Sequence, residues 1–389
     1  MMALKQPQTS RTVPFLIART KTFLAVSFVW LAAVGASAAS ECAYDLFGDL
    51  NKDCRVDWLD IALIAQSWLV DCSETPQDPA CVPRVEWQIE APMLTERYQF
   101  TGGVIDGKIY VFGGNAEGGT DLKSTEMFDP STGTWTRRAD NNNNAGHGVE
   151  ELTGAVMDGR LYVFGACGWS ESNWTSGDFN FVEEYNPTTS TWMSRAPKPT
   201  LVTGAPATVY DGEIYLFGGG YWTAGITYRI VEAFKPSTNS WRSVTNIPRN
   251  VQMSAVARVG DKAYLIGGYL MDEDRMTGDV MTFDFRTGQW DVNSCQPMPA
   301  DRARAFAYSS AAPVIDGKIY LIGGGEGSMS GGVWASNKVD VYDPATNSWS
   351  VQRPLPFSVD NHLSVAVGSR IYVIGGNMET LKTCFSARY

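Results

Sequence analysis

Short apolar runs, each fenced by turn residues, recur along the chain from residue 105 onward. The first reads IDGKIYVFGG at 105–114. It returns as MDGRLYVFGA at 157–166, YDGEIYLFGG at 210–219, VGDKAYLIGG at 259–268, IDGKIYLIGG at 315–324 and VGSRIYVIGG at 367–376. The starts lie 49 to 56 residues apart, and Tyr always holds the same place: Tyr110, Tyr162, Tyr215, Tyr264, Tyr320 and Tyr372. A turn pair, a β-branched and aromatic run and then glycine together predict a hairpin. The run is unbroken by polar residues, so it predicts a strand buried on both faces. The closing Gly-Gly suits a place where another backbone comes very close. A period near 50 residues predicts a repeat architecture.

A second pattern follows five of the copies: EMFDPSTGTW at 126–135, EEYNPTTSTW at 183–192, EAFKPSTNSW at 232–241, MTFDFRTGQW at 281–290 and DVYDPATNSW at 340–349. An aromatic ends one strand, Pro, Ser, Thr, Asn and Gly make the turn, and Trp begins the next strand. Each repeat therefore predicts four strands. The Gly-Gly doublet, the spaced aromatic and the Trp make residues 85–389 resemble the kelch repeat. That resemblance implies an all-β fold, a six-bladed β-propeller with one four-stranded sheet per blade. The last copy has no Trp after it, whereas VEWQIEAP at 85–92 supplies an unpaired Trp before the first. Six Trp (87, 135, 192, 241, 290 and 349) then match the six closing pairs, five Gly-Gly and Gly165-Ala166, and an N-terminal strand is expected to close the ring.

Upstream the pattern changes. Residues 1–40 contain no acid; Lys5, Arg11, Arg19 and Lys21 precede an apolar stretch at 22–34, and small residues follow. This predicts a secretory signal peptide, with an apolar stretch too short to span a bilayer, so no membrane insertion is expected after cleavage. Cleavage moves the net charge from −11 to −15. An acidic protein is a poor candidate for nucleic acid.

Residues 41–72 predict a small α-helical calcium-binding module. From Asp49, oxygen ligands fall at positions 1, 3, 5, 9 and 12 (Asp49, Asn51, Asp53, Asp57 and Asp60), and Arg55 can offer its backbone carbonyl at position 7. A hard cation such as calcium takes six to eight oxygens, and this spacing wraps them around one ion. Ile61, Leu63, Ile64, Trp68 and Leu69 then repeat as on a helix. The stretch resembles a dockerin, or more broadly an EF-hand, with one loop where dockerins carry two and Cys54 at the sixth position, usually Gly. The resemblance implies calcium as cofactor and a cohesin-like scaffold as partner.

Cys42, Cys54, Cys72 and Cys81 cluster in this region, which fits disulfide staples in an exported module. Four cysteines allow three pairings, and the absence of C-x-x-C speaks against zinc. Cys167, Cys295 and Cys384 are scattered and expected to be unpaired. The Pro-rich, polar residues 73–84 predict a tether.

In a four-stranded blade, the loop between strands two and three shares a face with the connection into the next blade. These segments are long and variable, so binding is expected there. They carry aromatics outside the repeat: Trp169, Trp174, Tyr221, Trp222, Tyr228, Tyr269 and Trp334. Flat rings stack on sugars, and Asn141 to Asn144, Asp272, Glu273 and Asp274 offer groups for hydroxyls. Arg97, Arg302 and Arg304 are expected at the channel mouth, either holding a carboxylate sugar or pairing with neighbouring acids. His147 and His362 occupy inequivalent places in their repeats. No G-x-S-x-G, P-loop or H-E-x-x-H motif occurs. The expected function is therefore secreted recognition of an extracellular carbohydrate or protein. A carbohydrate-active enzyme resembling the sialic acid mutarotases is the alternative, by fold analogy alone.

Overall fold

The computed structural model describes residues 86–389, apart from 119, 143–148, 150, 166–179, 202, 222–225, 307–310, 329 and 377–381. The expected leader (1–40), calcium module (41–72) and tether (73–84) lie outside the described residues.

Six four-stranded antiparallel sheets are formed by the described residues. Sheet 1 contains Thr101–Ile105, Lys108–Phe112, Thr125–Asp129 and Thr134–Arg137, hydrogen-bonded in that order. Sheet 2 spans 153–194, sheet 3 spans 207–246, sheet 4 spans 255–291 and sheet 5 spans 314–352. Sheet 6 takes three strands from 363–388 and its fourth, Gln88–Ile89, from the other end of the sequence. Gln88 pairs with Ser386 and Ile89 with Phe385. The expected closure by an N-terminal strand is thus present.

Local chemistry explains each sheet. Asp106 and Gly107 both take positive φ, 49° and 73°, the backbone of a type I′ hairpin turn. Second strands are buried from their second residue on, as in Ile109 to Phe112. The aromatic and the Trp of the second pattern meet as direct cross-strand partners: Phe128 with Trp135, Tyr185 with Trp192, Phe234 with Trp241, Phe283 with Trp290 and Tyr342 with Trp349.

Each sheet buries its faces against its neighbours. Phe112 and Leu161 share one core between sheets 1 and 2, Phe164 and Leu216 another between 2 and 3, and Phe217 and Leu265 a third between 3 and 4. Ile266 and Leu321 share the core between sheets 4 and 5, and Ile322 and Val373 the one between 5 and 6. The sixth core joins Ile374 to Val111, returning to sheet 1. The result is an all-β, propeller-like arrangement. The only helical elements among the described residues are 3-10 turns, Met271–Glu273 and Ala300–Arg302. No described helix is long and apolar enough to cross a membrane.

The tryptophans also tie successive sheets together. The indole N–H of Trp135 donates to Ala91 O at 2.8 Å, Trp241 to Ala196 O at 2.9 Å and Trp349 to Gln296 O at 2.9 Å. Each acceptor lies just beyond the outer strand of the preceding sheet and just before a proline. Trp290 breaks the series, because its indole nitrogen is buried without an acceptor.

Candidate functional site

The two ends of the sheets are built differently. One end carries the Asp-Gly turns and the turns before each Trp, and here charges pair locally. Lys108 meets Asp129 at 2.7 Å, and Asp129 also accepts from the Ser131 backbone at 3.0 Å. The Lys108 ammonium and the Ser131 donors hold the Asp129 carboxyl down to about 2. Lys318 repeats the arrangement with Asp343 at 3.8 Å.

The other end carries added structure that the repeat pattern did not predict. Four connections between second and third strands fold back as small hairpins. These are Asn115–Ala116 with Thr120–Asp121, Gly220–Tyr221 with Ile226–Thr227, Tyr269–Leu270 with Arg275–Met276, and Gly325–Ser328 with Gly332–Ala335. The expected ligand residues divide among these hairpins, the interior and undescribed segments. Trp169, Trp174, Trp222, Asn143, Asn144 and His147 lie outside the described residues, and Tyr221 is described in its backbone only.

Two of the expected ligand arginines are structural. Arg97 and Arg304 are fully buried. Arg97 donates to Glu126 at 2.7 Å, to Gly113 O at 2.7 Å and to Ser124 Oγ at 3.0 Å. Arg304 donates to Asp340 at 2.6 Å, to Gly323 O at 2.5 Å and to Leu321 O at 3.0 Å. Arg302, also largely buried, pairs with the second oxygen of Asp340. Burial pushes both Arg97 and Arg304 down from the usual guanidinium range, opposed by Glu126 and Asp340 respectively. Neither presents a free fork to a ligand carboxylate, so the second of the two readings, pairing with neighbouring acids, is the one found.

The same geometry recurs at a residue not singled out from the sequence. Lys198 is buried against Glu232 at 3.1 Å and donates to Thr200 O at 2.6 Å. Burial lowers its ammonium to about 8 despite Glu232. Glu126, Glu183, Glu232 and Asp340 occupy one position, two residues before the aromatic that pairs with Trp, and all four are buried. Sheet 4 has Met281 there. Stacking the EMFD, EEYN, EAFK and DVYD segments would have exposed these acids.

Tyr269 is also interior, only 2% exposed, and its hydroxyl donates to Asp274. Ser330 from the sheet 5 hairpin donates to the same carboxylate, fastening the two hairpins together. Tyr228 is half-buried beside the core between sheets 2 and 3. It lines a polar groove with Thr227, Asn250 and Asp272, where Thr227 Oγ1 donates to Asn250 at 2.5 Å. Glu273 pairs with Arg275 at 2.6 Å, and Asn141 is buried with its backbone N–H on Lys123 O at 2.9 Å. Trp334 remains on the surface, 58% exposed.

Between the innermost strands, Ala255, Phe306, Tyr320, His362 and Ser364 line a cavity of about 30 Å³, too small for a sugar. Burial, with Arg304 nearby, lowers the His362 imidazole to about 4. The unfolded chain therefore takes up this proton near pH 6.5, whereas the folded protein resists it until about 4. Stability should be full above pH 6.5 and fall by up to roughly 3 kcal/mol as pH drops through that window. Urea unfolding from pH 7 to pH 4 tests this, and His362→Gln should flatten the slope; an unchanged slope in the variant would remove His362 as the cause.

Cys295 and Cys384 are free thiols, as expected; Cys167 and the four N-terminal cysteines lie outside the described residues.

Comparison with known proteins agrees with this architecture. The Attractin/LZTR1 beta-propeller family matches residues 161–389, and the Kelch motif matches residues 96–142. Kelch-like protein terF of Aspergillus terreus is 25% identical over 299 residues, covering 73% of this chain and 62% of that protein. Human Kelch-like protein 25 is 28% identical over 273 residues, covering 69% of this chain and 43% of that protein. The chain thus spans about half the length of such relatives. The solved structure of YjhT superposes with a TM-score of 0.64 at 19% identity, covering 77% of this chain and 95% of that one, a likeness of fold. With its repeating sheets, shared cores and buried acids accounted for, the chain belongs to the Attractin/LZTR1 beta-propeller family and carries a Kelch motif.

Proposed function

We infer that this is an exported kelch-type binding protein whose six sheets act as the blades of one closed ring. Its partner, a protein or a carbohydrate, engages the hairpin-bearing face. The observation that carries this reading is the contrast between the two ends of the sheets. One end has short, similar turns with locally paired charges; the other has four added hairpins, a polar groove at Tyr228 and Asp272, and the exposed Trp334. The likeness to Kelch-like proteins supports a protein partner. The N-terminal segment completes the proposal: residues 1–40 direct export, and Asp49, Asn51, Asp53, Asp57 and Asp60, with the Arg55 carbonyl, hold calcium in a module that tethers the ring to a cohesin-like scaffold.

The alternative of sugar anomer exchange rests on fold analogy alone, and Arg97 and Arg304 are committed to Glu126 and Asp340. The test compares two double variants of the full chain in pull-downs from extracellular fractions and on a glycan array. Tyr228→Ala with Asp272→Ala should weaken capture roughly tenfold or more. Lys108→Ala with Lys318→Ala, on the turn-bearing end, should leave capture unchanged. The reverse result would move the binding face to the opposite end.

A further inference from the structure

Trp334 is the one exposed tryptophan among the described residues. It stands on the second strand of the sheet 5 hairpin, directly across from Glu326. Its ring lies against Gly327, where even a Cβ would come within 2.7 Å of Trp334 Cζ3. The six-membered ring thus rests close against Gly327, while much of the side chain stays open to solvent. Gly327 has φ of 106°, a conformation that side chains rarely adopt, so this seat depends on glycine twice over.

The surroundings are polar and sparse. Glu326 accepts from Lys338 at 2.8 Å, and both are about a quarter exposed or less. The hairpin is otherwise mostly Gly and Ser: Gly325, Ser328, Ser330, Gly331 and Gly332. Among the described residues of the hairpin, Val333, 43% exposed, is the only other large apolar side chain that meets solvent; Met329 lies outside them.

We propose that Trp334 is the stacking platform of a subsite for an uncharged pyranose, with the Glu326–Lys338 pair as its hydrogen-bonding edge. This rests on the reading that the hairpin-bearing face is the binding face, and it names one ligand class for it. A protein hot spot needs a ring of surrounding contacts that excludes water, within roughly 800 Å² buried per partner. In the described part of this hairpin one ring and Val333 stand out amid glycine and serine, which supplies little of that. A sugar ring needs one flat apolar surface for its C–H face and a few donors and acceptors for its hydroxyls, and both are present. The carboxylate and ammonium neutralise each other, so the subsite offers no net charge to select an acidic or basic sugar.

The test is affinity gel electrophoresis of the full chain in gels cast separately with xylan, laminarin, galactomannan and hydroxyethylcellulose. Retardation by at least one is expected. Trp334→Ala should weaken it roughly tenfold, and Trp334→Tyr, which keeps a ring over Gly327, should retain most of it. No retardation in any gel, or equal retardation of Trp334→Ala, overturns the subsite. If Trp334→Ala unfolds, Trp334→Tyr and Glu326→Gln decide: a Glu326→Gln protein that binds less tightly while melting normally supports the subsite, and unchanged binding overturns it. Protein capture that Trp334→Ala weakens without any polysaccharide retardation overturns the sugar subsite and leaves the face assignment standing. Binding that only turn-end substitutions remove overturns both.

Discussion

Asp340→Ala should destabilise the fold by roughly 3–5 kcal/mol, a large share of what such a domain has to lose. The carboxylate it removes is shared by Arg304 and Arg302, and Arg304 is fully buried. Truncation leaves that guanidinium in the interior with backbone carbonyls of Gly323 and Leu321 but no counter-charge. The loss belongs to the unpaired partner more than to the bond, because desolvating a charge is what the pair has to offset. Sheet 4 shows the apolar solution at the equivalent position, Met281. The contrast to measure is therefore in sheet 3. Glu232→Met alone strands Lys198 and should be costly, whereas Lys198→Met with Glu232→Met should fall within about 1.5 kcal/mol of the parent. Urea unfolding at pH 7 with matched m-values reads both. If the single change costs no more than the double, the pairs are not what holds these linkers in place.

Gly324→Ala should be comparably severe, at roughly 3 kcal/mol or more. Gly324 has φ of 102°, and an added Cβ would sit 2.6 Å from the Ala305 carbonyl oxygen, a backbone atom that cannot swing aside. Gly114, Gly219 and Gly268 meet the carbonyls of Tyr98, Thr203 and Gln252 at 2.5–2.7 Å in the same way. Gly107 is the internal control: its φ of 73° also disfavours a side chain, yet nothing lies within 4 Å of its Cβ. Gly107→Ala should cost only about 1–2 kcal/mol, the conformational part alone. Comparable melting temperatures for the two variants would mean that φ, and not the close approach, explains the doublet.

The repeating part of this architecture was open to reading because it is dictated locally. Continuous apolar runs, Asp-Gly turns and Gly-Gly doublets are properties of neighbouring residues, and the surplus Trp87 points to a strand supplied from upstream of the first repeat. The hairpins over the loop face escaped notice because Gly220–Tyr221 or Gly325–Ser328 pair through backbone atoms, with no apolar alternation to betray them. The arginines are expected at the channel mouth from their sequence positions, but whether a side chain there points inward or outward depends on what faces it. Glu126 and Asp340, some thirty residues further on, decided that. Tyr269 lies in a loop by its place in the repeat, yet it is covered by Met276 and Ala305, with Met253, Met271 and Ala303 beside them, and these come from several separate segments.

Because Gln88–Ile89 completes the sheet whose other strands lie at 363–388, the last sheet joins segments almost 300 residues apart. Sheets 1 to 5 contain only near-neighbour pairings and can form in the order in which they are synthesised. Sheet 6 cannot be finished until Cys384–Arg388 has been synthesised, so Gln88 and Ile89 wait for their strand partners until then. Among the described strand pairings, bringing such distant segments together carries the largest loop-closure entropy. The final docking of this strand is thus the step at which a folding chain is most open to capture by chaperones or by strands of its own neighbours.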